Sequence, residues 1–107
     1  MLDITRGTTP TCFIYVKEEI PLQNIRAVWV FVSQNNKVKI DKVTEDITID
    51  YDHHYLTVKF SQEDTLNLKA GEAMFQVRVL LNNDALASYA KKIKIYPVYK
   101  EGVITSE

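Results

Sequence analysis

The residues best suited to binding a metal ion form one short stretch, Asp50-Tyr51-Asp52-His53-His54. Side chains two residues apart in a β-strand share a face, so Asp50, Asp52 and His54 would present two carboxylates and an imidazole together. The alternative is a polar turn between two strands, which breaks that alternation and separates the two histidines. We expect the turn, so we predict neither a metal site nor a cofactor.

Motifs of the common enzyme classes are missing from the sequence. It contains no Gly-rich phosphate loop, no G-x-S-x-G elbow, no C-x-x-C pair and no H-E-x-x-H. Ser61 is explained as a helix cap. Ser33, Ser88 and Ser106 have no catalytic partner at the spacing of a known hydrolase motif. Cys12 is the single cysteine, so no intrachain disulfide forms, and its apolar neighbours indicate a buried structural thiol. We therefore predict that the protein is not an enzyme.

Composition and charge predict one domain over residues 1–107 with no electrostatic preference for a polyanion. The chain has 13 basic and 14 acidic residues, which gives a net charge of -1. Tyr96, Tyr99 and the lysines near them could stack on and neutralise a nucleic-acid strand, but no recognised motif supports that interpretation, so we expect no nucleic-acid partner. The start of the sequence, Met1 to Arg6, lacks the pattern of a signal peptide, and no stretch is apolar enough to span a membrane. We expect synthesis in a bacterial cytoplasm.

Strand-forming residues dominate the elements that must position any site. Val, Ile and Thr are abundant, against only 3 Gly and 3 Pro. The segment from Arg26 to Gln34 is the most apolar, and it is apolar on both faces: Val28, Val30 and Val32 alternate with Ala27, Trp29 and Phe31. Such a strand lies in the middle of a covered sheet or shows its second face to a partner. Other strands are predicted over residues 2–5, 11–16, 37–43, 47–51, 54–60, 73–81 and 86–98.

Turn and cap signals separate these strands. Asn35-Asn36 predicts a tight hairpin, because Asn tolerates the positive φ of a type I′ turn, and Asn82-Asn83-Asp84 predicts a second hairpin. Ser61 to Asp64 reads as a capping box that starts one helical turn. Lys91 is out of phase with the inward Ile93 and Ile95, so we expect a bulge near residues 90–92. Together these signals predict an all-β, immunoglobulin-like antiparallel sandwich of about seven strands, with one short helical turn near residues 62–66. A small barrel is the alternative fold.

Four segments resemble a known group of proteins: Ile4-Thr5-Arg6-Gly7-Thr8-Thr9-Pro10, Val32-Ser33-Gln34, Ser61-Gln62-Glu63-Asp64-Thr65-Leu66 and Phe75-Gln76-Val77-Arg78-Val79. They resemble small phage and prophage structural proteins of Gram-positive bacteria. The opening I-T-R-G-x-T-P is similar to the N-terminal β-sandwich domain of siphophage baseplate upper proteins. The resemblance implies a structural or adaptor protein of the virion, associated with the tail or baseplate, and it carries no catalytic residues.

The residues predicted to form an interface are Trp29, Phe31 and Arg78. Other phage proteins, or a second copy of the chain, are the expected partners. Core packing is the competing interpretation for Trp29, and we favour it over the interface, because sandwich cores commonly contain one tryptophan.

Charge and exposed tyrosines leave further alternatives open. An acidic stretch and a basic C-terminal strand could dock head to tail between copies, although solvated, edge-protecting charges explain them as well. These residues are Asp41, Glu45, Asp46, Asp50 and Asp52, and Lys91, Lys92, Lys94 and Lys100. A carbohydrate-binding module would use exposed rings, for which the candidates are Tyr51, Tyr55, Tyr96 and Tyr99. A small prophage regulator that binds a host protein by edge-strand addition is the third possibility.

Overall fold

Short strands make up most of the regular structure. A computed structural model describes residues 3–88 and 90–106. The strands are β1 (Ile4–Thr5), β2 (Thr11–Tyr15), β3 (Ala27–Gln34), β4 (Lys37–Lys42), β5 (Ile47–Asp50), β6 (Tyr55–Lys59), β7 (Gly71–Leu80), β8 (Ala85–Ala87) and β9 (Lys91–Tyr96). One helix, α1 (Gln62–Leu66), and two 3-10 turns at Leu22–Asn24 and Thr44–Asp46 complete the described elements. The predicted first strand includes Leu2, which lies outside the described residues.

The strands form two sheets. The large sheet has the order β1-β9-β7-β3-β4, with β8 also paired to β7, and it is curled into half of a barrel. The small sheet is antiparallel and has the order β2-β6-β5. The predicted mainly β fold is confirmed, but the architecture is not a clear immunoglobulin sandwich. The prediction of purely antiparallel pairing is wrong, because β1 runs parallel to β9 with Ile4 opposite Ile95. No hairpin joins these two strands, so their direction is not forced.

Apolar side chains from both sheets meet in one core. The large sheet contributes Val28, Val30 and Val32 from β3, and the small sheet contributes Leu56 and Val58 from β6. Period-two alternation points these side chains inward. Complete burial of a side chain of this size stabilises the fold by about 1.5–3 kcal/mol. The other buried apolar members are Ile4, Cys12, Ile40, Phe60, Leu68, Ala73, Val77, Ile93 and Ile95.

Both predicted hairpins are confirmed. Asn35 and Asn36 join β3 to β4 with φ values of 52° and 64°, the left-handed conformation that a type I′ turn requires. The second hairpin joins β7 to β8, and the Leu81 N–H donates to the Asp84 carbonyl across it at 2.8 Å.

The predicted last strand is divided into β8 and β9 by an irregular register. Both strands pair with the same edge of β7, in which Arg78 is opposite Ala87 and Phe75 is opposite Lys91. An advance of three residues along β7 thus corresponds to an advance of four residues along the paired segment. The paired segment therefore contains one extra residue, as in a β-bulge. The irregularity lies between Ala87 and Lys91, an interval that meets the predicted position at residue 90 and contains residue 89, which is outside the described residues. It places Ile93 and Ile95 in the core.

The capping box sets the start of α1 as predicted. The Asp64 N–H donates to Ser61 Oγ at 3.0 Å, and the Ser61 N–H donates back to the Asp64 carboxylate at 2.8 Å. Thr65 is fully buried and donates its hydroxyl to the Thr8 carbonyl at 2.8 Å, which ties the helix to the segment before β2. Within the described residues, no helix has the length and apolar character to span a bilayer.

Arg6 joins the beginning of the fold to its end. Its guanidinium donates to the carbonyls of Leu66 and Leu68, at 3.0 and 2.6 Å, and makes a bidentate pair with Glu101, at 2.7 and 2.8 Å. The hydrogen bond from Arg6 lowers the pKa of the Glu101 carboxyl. This contact holds the turn after β1 against the α1 region and the segment after β9.

Candidate functional site

Trp29 lies on the outer face of the large sheet. Its neighbours Val28 and Val30 fill the core, so alternation along β3 turns the Trp29 side chain away from the core. The side chain is 46% exposed. The interpretation of Trp29 as a core residue is therefore wrong. The valines of β3 occupy the space between the sheets where a sandwich tryptophan would pack.

Arg78 is the direct neighbour of Trp29 across the sheet. The two residues are opposite each other in the pairing of β3 with β7, and the Arg78 Cζ lies 5.0 Å from the centroid of the Trp29 ring. A guanidinium over an indole face at this distance is a cation–π contact. Arg78 is exposed, so its charge and most of its donors remain accessible.

Phe31 shares the outer face with Trp29, one alternation further along β3. It is opposite Gln76 of β7 and Asp41 of β4, and it is half-buried. The Gln76 side chain donates to the Ser88 carbonyl at 2.8 Å, which ties it to the residue that follows β8. The structure thus brings together all three residues predicted for an interface. We call Trp29, Phe31 and Arg78, with the cavity described next, the docking face.

A shallow cavity of about 190 Å³ adjoins the Trp29 and Arg78 pair. It lies where β3, β7 and β8 meet, at the hairpin that closes on Asp84. Its lining residues are mostly apolar: Ala27, Trp29, Arg78, Val79, Leu80, Ala85 and Leu86.

Members of the two charge clusters lie near opposite edges of the large sheet, while Asp50 and Asp52 of the acidic cluster lie at the end of β5 and in the turn that follows it. Asp41 is on the edge strand β4, whereas Lys92 and Lys94 are on β9, with β7 and β3 between them. Lys94 Nζ lies 4.9 Å from the centroid of the Tyr96 ring, and Lys92 Nζ lies 3.2 Å from the Glu72 carboxylate. Head-to-tail docking of the two clusters stays a prediction.

The Asp50 to His54 stretch forms the expected polar turn between β5 and β6. The Asp50 carboxylate accepts hydrogen bonds from the Asp52 and His53 N–H groups, both at 3.1 Å, and contacts His53 Nδ1 at 3.0 Å. The hydrogen bond from the His53 amide lowers the pKa of Asp50. His54 has a φ of 59°, and its Nε2 lies 3.0 Å from the Lys17 carbonyl. Over residues 3–88 and 90–106, no three His, Cys, Asp or Glu side chains are placed to hold a metal ion.

An aromatic cluster on the small sheet was not predicted. The Tyr55 ring makes edge-to-face contacts with Phe13 and Tyr15, both at 5.5 Å between centroids, and stacks with His53 at 5.6 Å. We call these four residues the aromatic cluster. The signal in the sequence was the alternation that places Phe13 and Tyr15 on one face of a strand.

The four tyrosines considered for sugar binding do not form one platform. Tyr55 is in the aromatic cluster, Tyr51 is in the turn after β5, and Tyr96 lies on the other sheet. Tyr99 is beyond the end of β9.

Cys12 and Ser61, which are predicted to be structural, lie in structural surroundings, and so does Ser88. Cys12 is buried in the core, and this burial raises the pKa of its thiol to about 11, so little thiolate is present at neutral pH. Ser61 caps α1, and Ser88 Oγ accepts from the Val77 N–H at 3.0 Å.

The fold and the site define a mainly β domain with an exposed sheet face, where a Trp–Arg pair adjoins an apolar cavity. A scan against protein-family models gives no match, and a search of curated proteins gives no match either.

Proposed function

We propose that the chain is a non-enzymatic structural or adaptor protein of a phage particle, and that its docking face binds another protein of the tail or baseplate. The observation that carries this proposal is the exposed Trp29 ring under the Arg78 guanidinium, beside the apolar cavity. Tryptophan and arginine are enriched among the residues that dominate binding energy at protein interfaces. The resemblance of four segments to phage structural proteins supplies the assignment to a particle.

The strand order supports the immunoglobulin-like fold that this proposal includes. In the immunoglobulin sandwich, strands two, five and four share one sheet, and strands three, six and seven share the other. Here the small sheet contains β2, β6 and β5, while the large sheet contains β3, β7 and β9, and β4 is an added edge strand. The first strand, β1, joins β9 rather than β2, and the large sheet is curled. We infer a divergent variant of that sandwich.

The proposal is tested by measuring binding to the purified products of the neighbouring genes in the same genome, one protein at a time. We expect one of them to bind, and we expect Trp29→Ala to weaken that binding by about 30-fold or more, which corresponds to about 2 kcal/mol at a central interface residue. Tyr51→Ala is the matched control, since it removes an exposed aromatic ring outside the docking face, in the turn after β5.

Two results would contradict the proposal. One is the absence of binding to every neighbouring gene product. The other is a folded Trp29→Ala variant that binds as tightly as the wild type. Arg78→Ala is a second variant for the case in which Trp29→Ala lowers the yield of folded protein, because Arg78 is exposed and contributes little to the core.

A further inference from the structure

The strand β2 is an edge strand with backbone groups directed to solvent. Within the described residues it pairs with β6 alone. At its two ends, the Val16 N–H donates to the His54 carbonyl, and the Phe60 N–H donates to the Pro10 carbonyl. Backbone groups alternate between the two sides of an antiparallel strand, so the even-numbered residues bond to β6. The odd-numbered residues direct their N–H and C=O groups to the open edge, and they are Thr11, Phe13 and Tyr15.

The residues of β2 itself lack the charges that normally prevent strand pairing, and the charge nearest in the lining of the adjacent cavity is Lys91 of β9. The five residues of β2 are Thr-Cys-Phe-Ile-Tyr, with no charge and no proline. The edge strand β4 carries four charged residues out of six, and β5 ends on Asp50. The strands β1 and β8 are only two and three residues long. Folded proteins protect edges with charges or keep them short, and β2 does neither.

Exposed aromatic rings flank the same edge. Phe13 is 55% exposed and Tyr15 is 76% exposed, and both belong to the aromatic cluster around Tyr55 on the outer face of the small sheet. An extra strand beside β2 would cover part of these rings and extend their packing.

We propose that β2 pairs in antiparallel fashion with β2 of a second copy of this chain, about a two-fold axis at Phe13. An antiparallel strand with alternating outward groups is its own complement. In this arrangement Phe13 faces Phe13 of the second copy, and Thr11 faces Tyr15. Lys17 falls opposite Thr9, so no like charges meet within the paired strands. The two small sheets become one continuous sheet, and the docking face on the large sheet stays free.

The first test is light scattering and sedimentation over a concentration series from about 10 μM to about 1 mM. The series extends to high concentration because a single strand pair buries less area than a stable dimer interface, so we expect weak association. We expect a concentration-dependent dimer. Phe13→Lys should raise the dissociation constant by at least about tenfold. Val38→Lys is the matched control, because Val38 is 56% exposed on the edge strand β4, and it should leave the dimer unchanged.

A second test detects the two-fold register. In a hydrogen-bonded antiparallel pair the Cα atoms are about 5.5 Å apart, which a disulfide can span. With oxidised glutathione, Phe13→Cys should give a disulfide-linked dimer on a non-reducing gel, and Val38→Cys should not. Cys12 is buried and does not compete.

Three outcomes would overturn the proposal: a wild type that is monomeric over the whole series, a dimer unaffected by Phe13→Lys, or a dimer disrupted by Val38→Lys instead. Trp29→Ala should leave the dimer intact, so a failure of this proposal is distinct from a failure of the docking face.

Discussion

Both sheets expose aromatic rings on their outer faces, but the rings have different neighbours. On the large sheet the exposed rings of Trp29 and Tyr96 lie beside cations, which are Arg78 and Lys94 respectively. On the small sheet the Tyr55 ring packs against Phe13, Tyr15 and His53. A ring that lies beside an exposed cation is not packed against other rings, and the charge of the cation remains accessible. A ring in a cluster is held in place by the packing of its neighbours.

The number of strands in each sheet explains this difference. Three strands are close to the minimum that is stable with one buried face, so the small sheet gains from aromatic packing on its outer face. The large sheet has more strands and needs no such support. We infer that the aromatic cluster contributes to folding stability, while the docking face is available for binding.

The largest effect that we expect is the difference in folding stability between Tyr55→Ala and Trp29→Ala. Each aromatic pair contributes about 0.5–1.5 kcal/mol, so we expect Tyr55→Ala to lower the free energy of unfolding by about 2 kcal/mol or more. Trp29→Ala loses one exposed cation–π contact of about 0.5–1 kcal/mol and the packing of a ring that is 46% exposed, so we expect a smaller loss than in Tyr55→Ala. Urea unfolding of both variants measures the difference. An equal or larger loss in Trp29→Ala would break the comparison.

A second comparison of the two sheets uses the pH dependence of folding stability, and its expected effect is smaller. Lys42 Nζ on the large sheet lies 2.8 Å from the Asp64 carboxylate, and the two side chains are 19% and 22% exposed. Burial alone would raise the pKa of Asp64, but Lys42 and Ser61 outweigh it and hold that pKa below its ordinary value. The pKa of Asp50, in the turn of the small sheet, is lowered as well, chiefly by the His53 amide.

Both lowered pKa values have the same consequence for stability. The contribution of each carboxylate is complete above the unfolded pKa of about 3.9 and is lost as the pH falls through the folded value. We expect Asp64→Asn to cost about 1 kcal/mol at pH 7 and progressively less below about pH 4, because the wild type then loses the same pair. Asp50→Asn should show the same trend with a smaller change. Urea unfolding at pH 7 and at about pH 2.5 measures both, and a constant Asp64→Asn deficit would contradict the argument.

The smallest expected effect is that of Lys94→Gln. The contact of Lys94 with Tyr96 is exposed, and such contacts contribute about 0.5 kcal/mol. The free energy of unfolding of the variant should therefore differ from that of the wild type by no more than about 0.5 kcal/mol. A loss comparable to that of Tyr55→Ala would mean that the rings of the large sheet are also structural.

Local signals in the sequence were sufficient for much of this fold. Asn35-Asn36, the capping box at Ser61 and the alternation along β3 depend on neighbouring residues, and they predict the hairpin, α1 and the two faces of β3 correctly. The same alternation placed Trp29 on the opposite face of β3 from Val28 and Val30. The preference for a buried Trp29 came from general sandwich architecture, and here the valines already fill that space.

Contacts between distant residues could not be read in the same way. Phe13 and Tyr55 meet because β2 pairs with β6, and neither segment encodes that pairing on its own. The same applies to Gln34, which is buried at the end of β3. Its amide donates to the Lys69 and Glu72 carbonyls, and its oxygen accepts from the Lys69 N–H. Only the folded chain brings these groups together.

The parallel pairing of β1 with β9 has a consequence during synthesis. Ile4 is made 91 residues before its partner Ile95. At about 5–20 residues per second, β1 waits roughly 5–20 seconds for its only strand neighbour in the described residues. The small sheet and the β3–β4 hairpin need only earlier residues and can form in that interval. Closure of β1 onto β9, and the contact of Arg6 with Glu101, therefore cannot begin before residues 91–101 have been made.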